Sequence, residues 1–419
     1  MSRAYASVVP GGRARVSDAV LVPADEAAAA AAIAAAAAAG EPLAIAGNGT
    51  KHAMLRPVQA ARLLSTANLR GITLYAPKEL VLRARAGTPL PEIEAALAAQ
   101  GQHLIAEPPD PAALFGATTP APPRPATLGG TVAANLSGPR RVAWGATRDH
   151  VLGLRAVNGS GEVLRCGGRV LKNVTGLDLC KLLTGSNGTL AVITEVTLKV
   201  LPAPEAVGTV VLAGLDAARG VAALAAALGS PYGISGAAYL PAEAAARVGF
   251  PHAVALARIE EFLPSVAYRT DRLRSDLAAF GAADILDDAA SRPLWRAVRD
   301  AVPLPAGAAD AVWRVSVRPS MGPAVLDGLA PAGLRGFLDW GGGLVWLAGP
   351  ATTATHDAVC AAATAQGGTW TLFRSPEPLA AAVAVIPPEA PALAAIARRV
   401  KAAFDPHGIL NPGRLYPGL

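Results

Sequence analysis

At 419 residues the chain is too long for one ordinary core and predicts two or three domains, each able to bury an apolar interior although the 52% hydrophobic content is inflated by alanine. The net charge of +6 comes from scattered arginines rather than a polybasic block, and no aromatic-and-basic module accompanies it, so nucleic acid is not an expected partner. Cys166, Cys180 and Cys360, without any C-x-x-C, supply neither a disulfide framework nor a zinc or iron–sulfur ligand set, and no metal site is expected.

The first twenty residues carry Arg3, Arg13 and Arg15 but no apolar signal core, which predicts a cytoplasmic protein. Asp25 is a candidate N-cap for a helix along the alanine run at 26–40, and Gly40 a candidate stop. That run is about half the length of a membrane span and alanine transfers poorly into lipid, so it predicts a surface helix. Residues 43–46 read as a buried strand delivering the loop Gly47-Asn48-Gly49-Thr50-Lys51. Residues 72–86 predict strands, and Pro89-Leu90-Pro91-Glu92 opens a helix that ends by Gly101. The proline-rich passage 107–124 is too rigid for a helix and too apolar for a linker, and is expected to drape over the domain. Leu128-Gly129-Gly130-Thr131-Val132 and Gly185-Ser186-Asn187-Gly188-Thr189-Leu190 read as two more glycine loops, with Gly145-Ala146-Thr147-Arg148-Asp149 between them. Residues 152–157 and 162–166 around Asn158-Gly159-Ser160-Gly161 predict a β-hairpin. Residues 192–200 alternate with period two, and Leu201-Pro202-Ala203-Pro204 marks a boundary. Beyond it, 206–390 read as alternating strands and helices, one helix spanning 259–281, and 404–415 as an apolar, turn-rich tail docked on the body.

Glycines without a Cβ let backbone N–H groups approach a pyrophosphate, and four such stretches in order make FAD the first hypothesis. No G-x-G-x-x-G follows a strand with an acid about 20 residues on, and no G-x-x-x-x-G-K-[ST] occurs, which disfavours a Rossmann fold and a P-loop NTPase.

Residues 128–138, 144–149 and 168–178 together resemble the vanillyl-alcohol-oxidase, PCMH-type FAD-binding superfamily, most closely its glycolate oxidase FAD-binding subunits, and 404–415 are similar to that family's tail. The resemblance implies an α+β fold. A two-subdomain PCMH-type FAD-binding domain would occupy 1–205, a smaller α+β C-terminal domain for substrate, cap or subunit interaction 206–390, and the tail 391–419. Gly47, Asn48, Gly49 and Thr50, with Gly129 and Gly130, would donate to the FAD phosphates; Lys51 and Leu128 belong to the same stretches. Asn135, Ser137, Gly138 and Gly145 would line the path to the isoalloxazine, and Gly188 and Ile193 would meet the cofactor through backbone groups. Members with covalent flavin often place a histidine directly after the first glycine pair; Gly49 stands there and His52 comes three residues later, so non-covalent FAD is expected, with His52 a loop hydrogen-bonder.

Related 2-hydroxy-acid dehydrogenases carry a histidine-rich, acidic constellation in their C-terminal half. Here only His252 and His356 occur between 206 and 403, so no catalytic residue is assigned. Arg374 is either a guanidinium for a substrate carboxylate or an exposed charge on a strand, and His407 and Asn411 read as turn caps. Arg140, Arg141, Arg148, Arg155, Arg165, Arg169 and Lys172 either steer an anion or form a solvated face. The leading expectation is an FAD-binding subunit of a multi-subunit glycolate oxidase that makes glyoxylate from glycolate. A sister FAD-linked subunit would abstract the hydride and an iron–sulfur subunit would carry electrons away, with membrane association only peripheral and through the complex. The alternatives are a self-sufficient FAD-dependent 2-hydroxy-acid dehydrogenase and a structural subunit without flavin.

Overall fold

The computed structural model describes residues 20–60, 62–110, 124–169 and 176–418. Lys172 and most of the proline-rich passage lie outside these. The helix Glu26–Ala39 starts and stops where its sequence signals stand: Asp25 accepts the Ala28 amide at 2.8 Å, and Gly40 takes the left-handed conformation with φ of 62°. Its buried stripe is Ala29, Ile33, Ala36 and Ala37, the helical spacing of a face laid on a sheet.

Three strands, β1 (Val20–Leu21), β2 (Leu43–Ala46) and β3 (Arg62–Ser65), form a small parallel sheet in the order β1-β3-β2. The C-terminal tail extends it, because Leu43 pairs in parallel with Leu410, donates to Ile409 O at 2.7 Å and accepts from Asn411 N at 3.0 Å. Next in the chain come β4 (Ile72–Ala76), β5 (Val81–Arg85), β6 (Gln102–His103), β7 (Val151–Asn158), β8 (Val163–Gly167), β9 (Ala191–Lys199) and β10 (Leu201–Pro202). Five of them make an antiparallel sheet ordered β4-β5-β9-β7-β8, while β6 pairs with β10. The helix Leu90–Ala98 buries Leu90, Ile93 and Leu97 against this sheet's core of Leu82, Ala84, Leu154 and Val196. In the β7–β8 turn it is Gly161 that needs positive φ, at 82°; Gly159 is packed so closely on Asp405 of the tail that a Cβ would overlap it.

The remaining strands, β11 (Ala206–Ala213), β12 (Ile234–Leu240), β13 (Val254–Glu261), β14 (Ala283–Leu286), β15 (Ala311–Ser316), β16 (Arg335–Asp339), β17 (Leu344–Gly349) and β18 (Thr369–Arg374), form one antiparallel sheet. Its order is β14-β11-β13-β12-β16-β17-β15-β18. Two sequence expectations change. Residues 259–261 finish β13, so the expected helix at 259–281 runs only over Leu263–Asp276. Residues 128–132 form a helix, Leu128–Ala133, rather than a loop, because Thr127 caps its first turn and β5's end fixes its first amides.

Directly opposed residues of an antiparallel pair share a face. Arg314 opposes Trp346 and Trp346 opposes Phe337, so these three lie on one face with Asp339, two residues on from Phe337. The Leu338–Tyr239 pairing puts Arg258 and Glu260 of β13 on that face too. A buried sheet face carrying four charged residues is unusual, and this one is turned towards Glu107, Gly138 and Arg140.

Candidate functional site

A cleft of about 800 Å³, partly open to solvent, lies between the parallel sheet, the helix Leu128–Ala133 and the tail. Of the residues expected at a cofactor, Gly47, Asn48, Gly49, Thr50, Lys51, Gly129, Gly130, Gly188 and Ile193 line it together. Leu128, Asn135, Ser137, Gly138 and Gly145 do not border it.

The loop after β2 offers the donors. The amides of residues 47–51 have no acceptor among the described residues, and Gly49 turns the run with φ of 77°. Asn48 Nδ2 donates to Pro125 O at 2.8 Å, and Gly47 lies so close to Thr127 that a Cβ would overlap its Oγ1, so the loop is pinned to the helix start. The second glycine pair works differently. Leu128 donates its amide to Thr88 O at 2.9 Å and Gly129 donates to Ala86 O at 2.8 Å, which corrects the expectation that Gly129 donates to phosphate. Gly130 keeps a usable donor, since its amide reaches Thr127 Oγ1 only at 3.4 Å. Gly185 and Asn187 cap the other end of this helix through Val132 O and Ala133 O, at 3.1 and 2.8 Å, and Gly188, with φ of 70°, passes beneath Asn411.

Two cations face those donors, and among the described residues no carboxylate lines the cleft. Lys51 is half-buried, with Nζ 3.3 Å from Thr50 Oγ1; burial lowers its ammonium to about 8, with Asp110 opposing the drop. Arg414 is buried and makes no ion pair among the described residues. Its Nη2 donates to Lys51 O at 2.6 Å and its Nη1 to His52 O and Arg56 O at 3.2 and 3.1 Å, and burial lowers it to about 10. Asn411, expected as a turn cap, joins three segments: Oδ1 accepts from Ile45 N and Nδ2 donates to Asn187 O, both at 2.8 Å. Free amides plus the cations Lys51 and Arg414 fit an anionic pyrophosphate. An incoming phosphate restores the Lys51 proton, so binding takes up a proton once the free protein has lost it. FAD affinity is therefore expected to be flat below pH 8 and to fall above it, and Lys51→Met to be weaker throughout and pH-independent. Fluorescence titration of the apoprotein from pH 6.5 to 9.5 checks this, and a wild-type affinity unchanged up to pH 9.5 counts against it.

The residues expected near the isoalloxazine form a separate, tightly bonded stretch. Asn135, at φ 48°, accepts Arg148 N at 3.0 Å through Oδ1; Ser137 Oγ accepts Thr147 N at 2.9 Å. Gly145 takes φ of 86° beside Asp149, whose Oδ2 accepts Ala146 N at 2.9 Å. Gly138 has Glu107 O where a Cβ would stand, and its own carbonyl accepts Trp340 Nε1 at 3.1 Å, which brings the stretch onto the charged face of the large sheet. There Glu107 takes both Nη atoms of Arg258 at 2.9 Å, and Glu260 takes Arg140 Nε and Nη2 at 3.0 and 2.6 Å. Against the upward push of burial, Arg258 and Arg140 hold both glutamates well below the ordinary carboxylate range.

The expected basic concentration is therefore not one patch: Arg140 is paired in the interior and Arg155 with Glu26, while Arg148, Arg165 and Arg169 are exposed. Arg374 donates to Gly307 O and Asp310 O at 2.6 and 3.0 Å and does not line the cleft. His252 and His407 are exposed, and His356 is a core residue whose Nδ1 accepts Trp313 Nε1 at 3.2 Å. Sequence reasoning did not single out Arg414, Thr127, Arg314 or Asp339; for Arg414 the signal was an arginine within the turn-rich stretch at 404–415. Among the described residues no group of three or more His, Cys, Asp or Glu could hold a metal, and no helix is long and apolar enough to cross a membrane.

The fold and the cleft define a protein that holds a pyrophosphate-bearing cofactor. The chain matches the FAD binding domain family over residues 17–167 and the family of C-terminal domains of FAD linked oxidases over 389–415. It is 35% identical to glycolate oxidase subunit GlcE of Escherichia coli (strain K12) over 379 residues, 90% of this chain and 93% of that protein. It is 37% identical to a D-lactate dehydrogenase of Anaerostipes hadrus over 150 residues, 36% of this chain and 29% of that one. The solved structure of 4-ethylphenol oxidase from Gulosibacter chungangensis resembles it with a TM-score of 0.70 at 15% identity, over 96% of this chain and 90% of that one, a likeness of fold alone. The chain belongs to the FAD-linked oxidoreductase family that includes glycolate oxidase subunit GlcE, and its cofactor is FAD.

Proposed function

We propose that this protein is the FAD-binding subunit of a multi-subunit glycolate oxidase, oxidising a small 2-hydroxy acid to the 2-oxo acid. The observation that carries the reading is the end-to-end similarity to a glycolate oxidase subunit, together with a cleft whose free amides, Lys51 and Arg414 suit a pyrophosphate. The amides of residues 47–51, Gly130, Lys51 and Arg414 hold the phosphates, and Ile193 and Gly188 meet the cofactor from the β9 side. FAD is held without a covalent bond. Electrons leave through a separate subunit, because three cysteines cannot supply the four thiolates of an iron–sulfur cluster. A sister FAD-linked subunit and an iron–sulfur subunit complete the assembly.

Affinity purification of the tagged chain from its own host tests this. The expected result is a yellow complex containing a second flavoprotein and an iron–sulfur protein, from which acid releases all of this chain's FAD. A lone chain that holds FAD and sustains glycolate turnover by itself would replace the reading with the self-sufficient dehydrogenase, and a colourless chain that cannot be reconstituted would replace it with the structural subunit.

A further inference from the structure

The charged face of the large sheet contains more cations than its carboxylates use. Arg140, Arg258, Glu107 and Glu260 pair off two against two and are neutral as a set. Beside them, Arg314 makes no hydrogen bond among the described residues, and its Nε is buried without a partner. Its guanidinium lies 4.9 Å from the Trp346 ring centroid, 5.5 Å from Trp340 and 5.6 Å from Phe373, an aromatic enclosure that shields a charge from water without neutralising it. Arg141, from the 135–145 stretch, stacks on Trp340 at 4.4 Å and also forms no ion pair among the described residues. Trp340 is itself fixed by its bond to Gly138 O, so both guanidiniums are placed against one immobilised indole.

Asp339 is the carboxyl next to this pair. It is only 3% exposed, and its one described bond is from the Trp340 amide to Oδ1, at 2.7 Å. Burial raises it to about 7, with the Trp340 amide and Arg258 opposing the rise, so near neutral pH it exchanges a proton readily. Burial lowers Arg314 to about 10, with Arg141 adding to the drop and Asp339 opposing it. Two unpaired guanidiniums beside one titrating carboxyl complement a small molecule with one carboxylate and one ionisable hydroxyl.

We propose that Arg314 and Arg141 hold the carboxylate of the 2-hydroxy acid and that Asp339 accepts its hydroxyl proton, giving this chain an oxidation site of its own. The proposal rests on the FAD-linked reading above and reverses the expectation that only a sister subunit can oxidise substrate. Oxidation breaks the C–H and O–H bonds of the carbinol and forms the C=O of the 2-oxo acid. FAD, when bound, supplies the two-electron acceptor for the hydride; the proton goes to the Asp339 carboxylate and then to solvent. Arg314 and Arg141 keep the carboxylate still, Arg314 from within its aromatic enclosure and Arg141 from the solvent side.

The test uses the full chain loaded with FAD, oxalate as a non-oxidisable probe and glycolate as reductant. Calorimetry should show oxalate binding that weakens above pH 7 as Asp339 ionises, with Arg314→Lys weaker by tenfold or more. Asp339→Asn keeps an oxygen for the Trp340 amide; it should bind oxalate without pH dependence, yet in stopped flow its flavin should be reduced by glycolate at least about 100-fold more slowly than in wild type. Loaded wild type that binds no oxalate, or Asp339→Asn with a wild-type rate of flavin reduction, overturns the subsite while leaving the FAD reading intact. A chain that takes up no FAD overturns both.

Discussion

Gly129→Ala is expected to weaken FAD binding in the cleft, and not only Gly129→Asp. A glycine at this position suggests room for a phosphate, but the missing Cβ points elsewhere: it would stand 2.6 Å from Ala86 Cβ and 3.0 Å from Ala86 O, at the end of β5. Neither atom is the tip of a flexible side chain. The Gly129 amide is also bonded to Ala86 O, so the helix cannot back away without breaking that bond and the neighbouring one from Leu128 to Thr88 O. Overpacking of this kind costs about 1–3 kcal/mol, and relief by shifting the helix start would weaken cofactor binding by roughly 5- to 150-fold. Because the cause is contact rather than charge, a methyl suffices. The flavin-to-protein absorbance ratio of the purified variants and their FAD titrations check this; an alanine variant with full FAD beside an aspartate variant with none would show that repulsion governs the position.

What could be read from the sequence follows from the range of the interactions involved. Asp25 and Gly40, the β7–β8 hairpin and the loop at 47–51 are local, because a cap, a turn or a run of small residues carries its requirement within a few positions. FAD as cofactor rests on such features and on the resemblance they support. The roles inside the glycine stretches are less local: Gly129 is glycine on account of Ala86, Gly47 on account of Thr127 and Gly159 on account of Asp405, contacts made only after folding. The Arg314–Asp339 arrangement has no sequence signature, since Arg314, Trp346 and Phe337 become neighbours only when β15, β17 and β16 pair in one register. Arg141 joins them from another sheet's domain, and in the sequence it looks like one more member of a basic run.

Arg414→Met is expected to weaken FAD binding by about 100-fold or more while the chain still folds. The guanidinium is the only described side chain that bonds the carbonyls of Lys51, His52 and Arg56 together, and it also brings one of the cleft's two positive charges. A fork of donors in a plane is what three converging carbonyls need, and neither methionine nor lysine reproduces it. The tail itself stays attached through Asn411, through the Leu43–Leu410 pairing and through Asp405, whose carboxylate accepts the amides of Ile409 and Leu410 at 3.1 and 2.8 Å. The loss should therefore fall on the order of the 47–51 loop and on its attraction for phosphate, not on the fold. In the apoprotein the buried cation has only carbonyl partners, so removing it offsets part of what the three lost bonds cost. The gain in melting temperature on adding saturating FAD should accordingly shrink far more than the melting temperature of the apoprotein, and Arg414→Lys should recover little of it. Equal FAD affinity in wild type and Arg414→Met, within about twofold, would mean that the phosphates lie away from the tail and that Lys51 and the loop amides hold them unaided.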